Sequence, residues 1–271
     1  MRGFLTKAIV GGLLLAGLAG PAAAAQIRAG FLMGESQIFG RFDADDMKDL
    51  RKTFPQGLDR PLLLDVDPLH SAPDALLALG AWLRAQRAIL DVYKACVGDC
   101  AWLLANSGRA IGVRRDAVIA FDTANRFALI DALRDKIEAG ELFADASAAS
   151  RERFMARYKP LLDMAAAFGA RTRETWPAPM LAFVAALRGP LTEPRLAFTD
   201  TDFSATLQGS PGRCLWWVPD AEGLRQIGLE VPGYVPPPLD RLAKLLDAPA
   251  AQIYVGPLRD AVPDDGLCGK P

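Results

Sequence analysis

Few side chains in this chain could do chemistry. Its 271 residues hold one imidazole, His70, and four thiols, Cys96, Cys100, Cys214 and Cys268. Any Ser–His or Cys–His mechanism must therefore run through His70. A Cys96 or Cys100 thiolate activated by His70 and oriented by Asp99 would make a peptidase-type hydrolase. The opposing reading is a Cys96–Cys100 disulfide, in which neither sulfur is a free nucleophile and His70 is a loop residue. A single imidazole excludes the catalytic zinc sets built on two or three of them. Asp65, Asp67, Asp99 and Asp122 fall at expected strand ends and could gather around a hard cation such as Ca²⁺. No spacing enforces that, and turn or cap roles are commoner. No metal site and no cofactor are expected, and no Gly-rich phosphate loop is present in the body of the chain. Ser71 follows His70 directly and reads as a turn or cap residue. Ser107, followed by Gly108, reads as a helix C-cap region. Lys94 lies near the Cys96 turn, but no Ser is placed to pair with it. Trp102, Trp216 and Trp217 read as core aromatics rather than a ligand platform.

Composition narrows the setting. Apolar residues make up 51% of the chain, charged ones 23%, and the net charge is −1. Those values suit a globular protein with a sizeable core and leave no electrostatic footprint for nucleic acid. The first 25 residues stand apart. Arg2 and Lys7 form a positive start, Ala8 to Gly20 an apolar run, and Pro21 with four alanines a small-residue cleavage site before Gln26. That is the pattern of a secretory signal peptide, too short in its apolar part for a comfortable membrane span. The expected organisation is a signal peptide over 1–25 and a single domain over 26–271, with a C-terminal extension from about 231. Losing Arg2 and Lys7 takes the net charge from −1 to −3. The expected location is periplasmic or secreted, with no membrane span in the mature chain.

Export makes disulfides the default for an even number of cysteines. Four cysteines allow three connectivities. Cys96 and Cys100 are four apart, which on a helix is a rise of about 6 Å, within reach of a bridge. Cys214 and Cys268 are then left to pair, tying the tail to the body.

The elements that must hold these residues read as follows. Strands are expected at 26–33, 61–66, 88–93, 117–121 and 215–218, with a last edge strand at 252–255. Helices are expected at 43–53 (capped by Asp43), 74–86, 99–105, 124–139, 147–169, 177–188, from 219–220, and at 239–247. Leu161, Leu162, Ala165 and Phe168 share a helical face and belong to the core or a subunit contact. The stretch 190–213 reads as a polar, Gly/Pro-rich loop. Alternation of strand and helix over 60–122 argues for α/β layers with parallel strands.

Order and local pattern together resemble one family over roughly residues 27–230, the ClpP/crotonase superfamily, and within it the exported ClpP-like proteins of bacteria. Leu64-Asp-Val-Asp-Pro-Leu-His70, followed by Ala75-Leu-Leu-Ala-Leu-Gly-Ala-Trp-Leu-Arg84, stands where the family has a strand, a Gly-Gly turn and an amphipathic helix. Cys96-Val-Gly-Asp-Cys-Ala101 resembles its paired-Cys nucleophile turn, and Ala117-Val-Ile-Ala-Phe-Asp122 the strand that ends in its His. Trp216 to Leu229 looks like its late strand and helix. The resemblance implies a core of parallel strands and helices with helical additions. It also implies that the chemistry is gone. The nucleophilic Ser falls on Gly98, the general-base His on Asp122, and the oxyanion Gly-Gly on Leu69 and His70. An ordinary carboxylate, with a pKa near 3.9, is a poorer proton acceptor than imidazole at neutral pH. The reading that follows is a non-catalytic binding or assembly subunit, with an unidentified protein partner or itself as partner in a homo-oligomer. The alternative is a hydrolase with an atypical site at His70, Cys96, Cys100 and Asp99.

Overall fold

The computed structural model describes residues 25–28, 36–58, 61–66, 71–92, 94–105, 107–108, 110–114, 117–139, 141, 148–189, 192–198, 203–208, 214–231, 233–260 and 267–268. Most of the expected signal peptide, together with Asp67, Leu69 and His70, lies outside the described residues.

The strands are β1 (Gln26–Arg28), β2 (Ser36–Gly40), β3 (Leu62–Val66), β4 (Ile89–Val92), β5 (Ala95–Val97), β6 (Ala110–Val113), β7 (Val118–Asp122), β8 (Thr192–Phe198), β9 (Phe203–Gln208), β10 (Trp216–Val218) and β11 (Ile253–Val255). The helices are α1 (Asp46–Thr53), α2 (Pro73–Ala85), α3 (Asp99–Leu103), α4 (Arg126–Ala139), α5 (Ala148–Thr175), α6 (Ala178–Arg188), α7 (Ala221–Gln226) and α8 (Leu239–Leu245). One sheet runs β1-β2-β3-β4-β6, parallel from β2 onward, and a second runs β11-β10-β7-β5. The chain alternates between them: β4 lies in the first, β5 in the second, β6 in the first and β7 in the second. Helix α3 connects β5 of the second sheet to β6 of the first. This is a mixed α/β architecture with parallel strands and added helices, as the alternation implied.

The core forms for identifiable reasons. In α2, Leu76, Leu79 and Leu83 recur on one helical face and are fully buried. Ala117 to Phe121 is a continuous apolar run, and every one of these residues is buried, as a strand covered on both faces requires. Around Phe121 stand Trp102, Trp176 and Trp217, with ring centroids 5.0, 5.2 and 5.4 Å away. Burying each such ring is worth about 1.5–3 kcal/mol, so the end of β7 is among the most firmly anchored places in the molecule. All three indoles have a partner: Trp102 Nε1 donates to Asp122 Oδ1 at 2.8 Å, Trp176 Nε1 to the Trp102 carbonyl at 3.1 Å and Trp217 Nε1 to the Gly256 carbonyl at 3.0 Å. Helix α5 is tied to its neighbours by Arg84 to Glu174 at 2.5 Å and by Arg171 to Ser107 Oγ at 2.9 Å.

Several expectations are corrected. The stretch 190–213 is not all loop: β8 and β9 pair as an antiparallel hairpin, with a register irregularity between Thr192 and Arg195. Pro194 falls at that irregularity, where a missing N–H does no harm, and so its presence misled the reading. Short strands at Ser36–Gly40, Ala95–Val97 and Ala110–Val113 were not expected; of the strand expected at 26–33, Gln26–Arg28 is a strand and 29–33 lie outside the described residues. Helix α5 runs on to Thr175. Asp43 does not cap α1. Its Oδ1 accepts from the Asp45 N–H at 3.0 Å, a local turn ahead of the helix. Ser71 Oγ accepts from the Phe42 N–H at 2.9 Å, a tie across 29 residues that holds the approach to α2 against the chain leaving β2 rather than a local turn or cap.

Candidate functional site

The second sheet brings Cys96, Gly98 and Asp122 to the neighbouring ends of β5 and β7, while Leu69 and His70 lie outside the described residues. Strands β5 and β7 are parallel, with Cys96 opposite Ile119 and Val97 opposite Ala120. Gly98 follows directly and donates its N–H to the Ala120 carbonyl at 2.9 Å. Its backbone sits at φ 58°, ψ −124°, a conformation costly for a residue with a side chain. The strand turns sharply there into α3. A strained strand-to-helix turn of this kind is the geometry that presents a nucleophile in many hydrolases. Here the residue at its apex has no side chain. A Cβ built on Gly98 would meet only Trp216 Cη2, at 3.9 Å, so the space for one is open.

The cysteines flank this turn. Cys96 and Cys100 are joined in a disulfide with a Cα separation of 5.0 Å, and Cys214 and Cys268 form another at 5.5 Å. The expected pairs are correct, but the geometry offered for the first is not: Cys96 lies on β5 and Cys100 in α3, so the bridge spans the turn rather than one helix. Bound to each other, neither sulfur is a thiolate nucleophile.

Asp122 closes β7 beside the turn. Trp102 Nε1 donates to its Oδ1 at 2.8 Å and to its backbone carbonyl at 3.1 Å. Asn125, absent from the sequence reading, links the acids: its Nδ2 donates to Asp99 Oδ1 at 2.6 Å and lies 3.4 Å from Asp122 Oδ1. Its own Oδ1 accepts from the N–H groups of Phe127 and Ala128, capping α4. Burial, and after it the neighbouring Asp99 carboxylate, push the Asp122 carboxyl up to about 7, against the downward pull of the Trp102 and Asn125 donors. The ordinary carboxylate value expected from sequence does not hold here. Thr123 Oγ1 donates to the Cys214 carbonyl at 2.7 Å and fixes β7 against the chain entering β10. Among the described residues no group of three or more metal-ligating side chains gathers.

Asp122 and Trp102 form one end of a cleft of about 380 Å³. The remaining walls come from α4, α5 and α6. Phe168, Leu181, Val184 and Ala128 supply apolar surface, while Asp131, Thr172, Arg173 and Arg188 supply polar atoms. Asp131 Oδ2 accepts from Arg173 at 2.6 Å, and its Oδ1 lies 3.2 Å from Arg134. Gly169 is required beside it, because a Cβ there would collide with the Asp131 carboxylate. Thr172 Oγ1 and Arg188 Nε are buried without a hydrogen-bond partner among the described residues. Burial lowers the Arg188 guanidinium from its usual range, and no described carboxylate offsets it. Of these helical residues sequence singles out only Phe168, and that as part of the core or a subunit contact. The one signal was Arg188 itself, a cation closing an apolar helix, which reads as an ordinary C-terminal charge.

No protein-family model matches this chain, and neither does any curated protein. Solved structures with similarity to it include an enoyl-CoA hydratase/isomerase family member at 16% identity, covering 52% of this chain and 80% of the other with a TM-score of 0.27. A putative enoyl-CoA hydratase/isomerase from Novosphingobium aromaticivorans shows 15% identity over 55% and 76%, TM-score 0.29. AtuE from Pseudomonas aeruginosa shows 18% identity over 58% and 83%, TM-score 0.27.

Proposed function

We propose that this protein is an exported, ClpP-like member of the crotonase-type folds that no longer performs serine chemistry and serves as a binding or assembly subunit outside the cytoplasm. The observation that carries the reading is Gly98. A nucleophile-type turn is kept at the end of β5, at φ 58°, with glycine at its apex. The flanking cysteines are held in a disulfide and so do not replace the missing hydroxyl. The signal-peptide pattern and two disulfides support an oxidising compartment. A single domain over 26–271 and a homo-oligomer, the latter by analogy with such folds, complete the proposal.

A second reading has one observation in its favour. A carboxyl raised to about 7 is a competent general base at neutral pH, so Asp122 could activate a water. The mature protein should therefore be assayed with casein, fluorogenic peptides and p-nitrophenyl esters, beside Asp122→Asn and Gly98→Ser. The expected result is no turnover above that of Asp122→Asn. Turnover by the wild type that Asp122→Asn abolishes would replace the binding-subunit reading with a hydrolase.

A further inference from the structure

We infer that the cleft between the end of β7 and helices α4, α5 and α6 binds a small monocarboxylate with an apolar body, its carboxylate set against Arg188 and Thr172. The inference does not depend on whether Asp122 is catalytic. It starts from the orphaned polar groups of one cavity, two donors and an acceptor. Thr172, Arg188 and Asp131 all line it, and Thr172 Oγ1, Arg188 Nε and Asp131 Oδ1 are buried without a hydrogen-bond partner among the described residues, the acceptor Asp131 Oδ1 being met by the charge of Arg134 at 3.2 Å. A buried donor left unmade costs free energy in every folded molecule, and such groups need an explanation. A ligand carrying an acceptor supplies one. A guanidinium offers donors in a planar fork suited to a carboxylate, and a hydroxyl donates to the same group.

The charges around the cleft set the ligand's charge. Four charged residues line it: Asp122, Asp131, Arg173 and Arg188. Asp131 is already paired with Arg173, at 2.6 Å, and with Arg134, at 3.2 Å, so this acid is neutralised. Asp122 is held partly protonated at neutral pH by its burial. Arg188 has no described counter-charge, so the cleft carries one positive charge in excess when Asp122 is protonated and is balanced when Asp122 is ionised. A monoanion matches the excess. A phosphate dianion would meet the second acid as well as the first, and is disfavoured.

The walls set the rest. Trp102, Phe168, Leu181 and Val184 surround a space of about 380 Å³, at the small end of ligand cavities. That suits a medium-chain alkanoate or an arylalkanoate, whose chain removes apolar wall from water while its carboxylate satisfies Arg188.

The test uses sodium octanoate titrated calorimetrically into the mature protein, with octanol and octylamine as controls of equal length. Octanoate is expected to bind with one site per chain, and the controls at least about tenfold more weakly, since they lack the charge that Arg188 demands. Arg188→Met should weaken octanoate by about tenfold or more. Thr172→Val, which keeps shape and fold, should weaken it severalfold. Absence of octanoate binding, equal binding of octanol, or unchanged affinity in both variants would overturn the inference. None of those results touches the non-catalytic reading, whereas turnover of an octanoate ester would defeat that reading and leave the carboxylate site standing.

Discussion

The two ends of the cleft are built on opposite terms. At the sheet end, Asp122, Asp99, Asn125 and Trp102 are partnered with one another, and the aromatic cluster around Phe121 holds them still. At the helical end, Thr172 Oγ1 and Arg188 Nε have no hydrogen-bond partner among the described residues. A satisfied buried network fixes a unique packing and leaves nothing for a ligand to gain. An unsatisfied one is costly to the free protein and rewards a ligand that completes it. The glycine turn and the buried acids therefore lie in the end that is structurally closed, and the proposed binding capacity lies in the end where no functional residue was expected.

This contrast can be broken by substitution, starting with the largest effect. Trp102→Ala removes a buried indole and strips Asp122 of its shortest donor. The loss should be about 3–5 kcal/mol, read from the urea midpoint, and the sheet end should lose its rigidity. A small effect would mean that the sheet end is not the anchored one.

Next comes the acid. Folded Asp122 titrates at about 7 while unfolded Asp titrates near 3.8, so between those values the folded state holds the extra proton. Stability from this group is full below the unfolded value and is lost as pH rises to about 7. Wild type should therefore lose roughly 2–4 kcal/mol relative to Asp122→Asn between about pH 4 and pH 8. Parallel pH profiles for the two proteins would show that the carboxyl is not raised. Asp99→Asn should shrink the difference, because it removes the second cause of the shift.

Gly98→Ala or Gly98→Ser should cost roughly 1–3 kcal/mol through backbone conformation alone, since the added Cβ meets only an ordinary contact. Unchanged stability in both variants would mean that the turn is not strained. The smallest effect belongs to the helical end. Arg188→Met removes a partly buried cation with no counter-charge among the described residues and should stabilise the ligand-free protein by roughly 0.5–1 kcal/mol, the gain being limited by solvent screening. Destabilisation would show that the guanidinium has a partner in the free protein.

Legibility in the sequence divides along the same line. The α/β class and the strands β3, β4 and β7 were readable because they are continuous apolar runs, as at Ala117–Phe121, punctuated by helices with a clear repeat, as at Leu76, Leu79 and Leu83, whereas their short parallel partners β2, β5 and β6 were not. The disulfide pairs followed from spacing, yet the strand under Cys96 did not, because three residues carry no period. The hairpin at Thr192–Phe198 and Phe203–Gln208 was hidden by Pro194 and by polar residues, which speak for a loop when pairing is not visible. Gly98 and Asp122 were found through family pattern, whereas Asn125, Thr172 and Arg188 were not. Those three matter through what they touch or fail to touch, and partners 26 residues distant, as for Asn125 and Asp99, leave no mark on local sequence.

The central claim is that the nucleophile turn is present but empty, with its flanking thiols consumed. It is tested most directly by counting free thiols on the mature protein, purified without reductant in the presence of an alkylating trap and weighed intact. The account predicts that no cysteine is alkylated. Alkylation at Cys96 and Cys100 would place two free thiols beside Gly98 and contradict it.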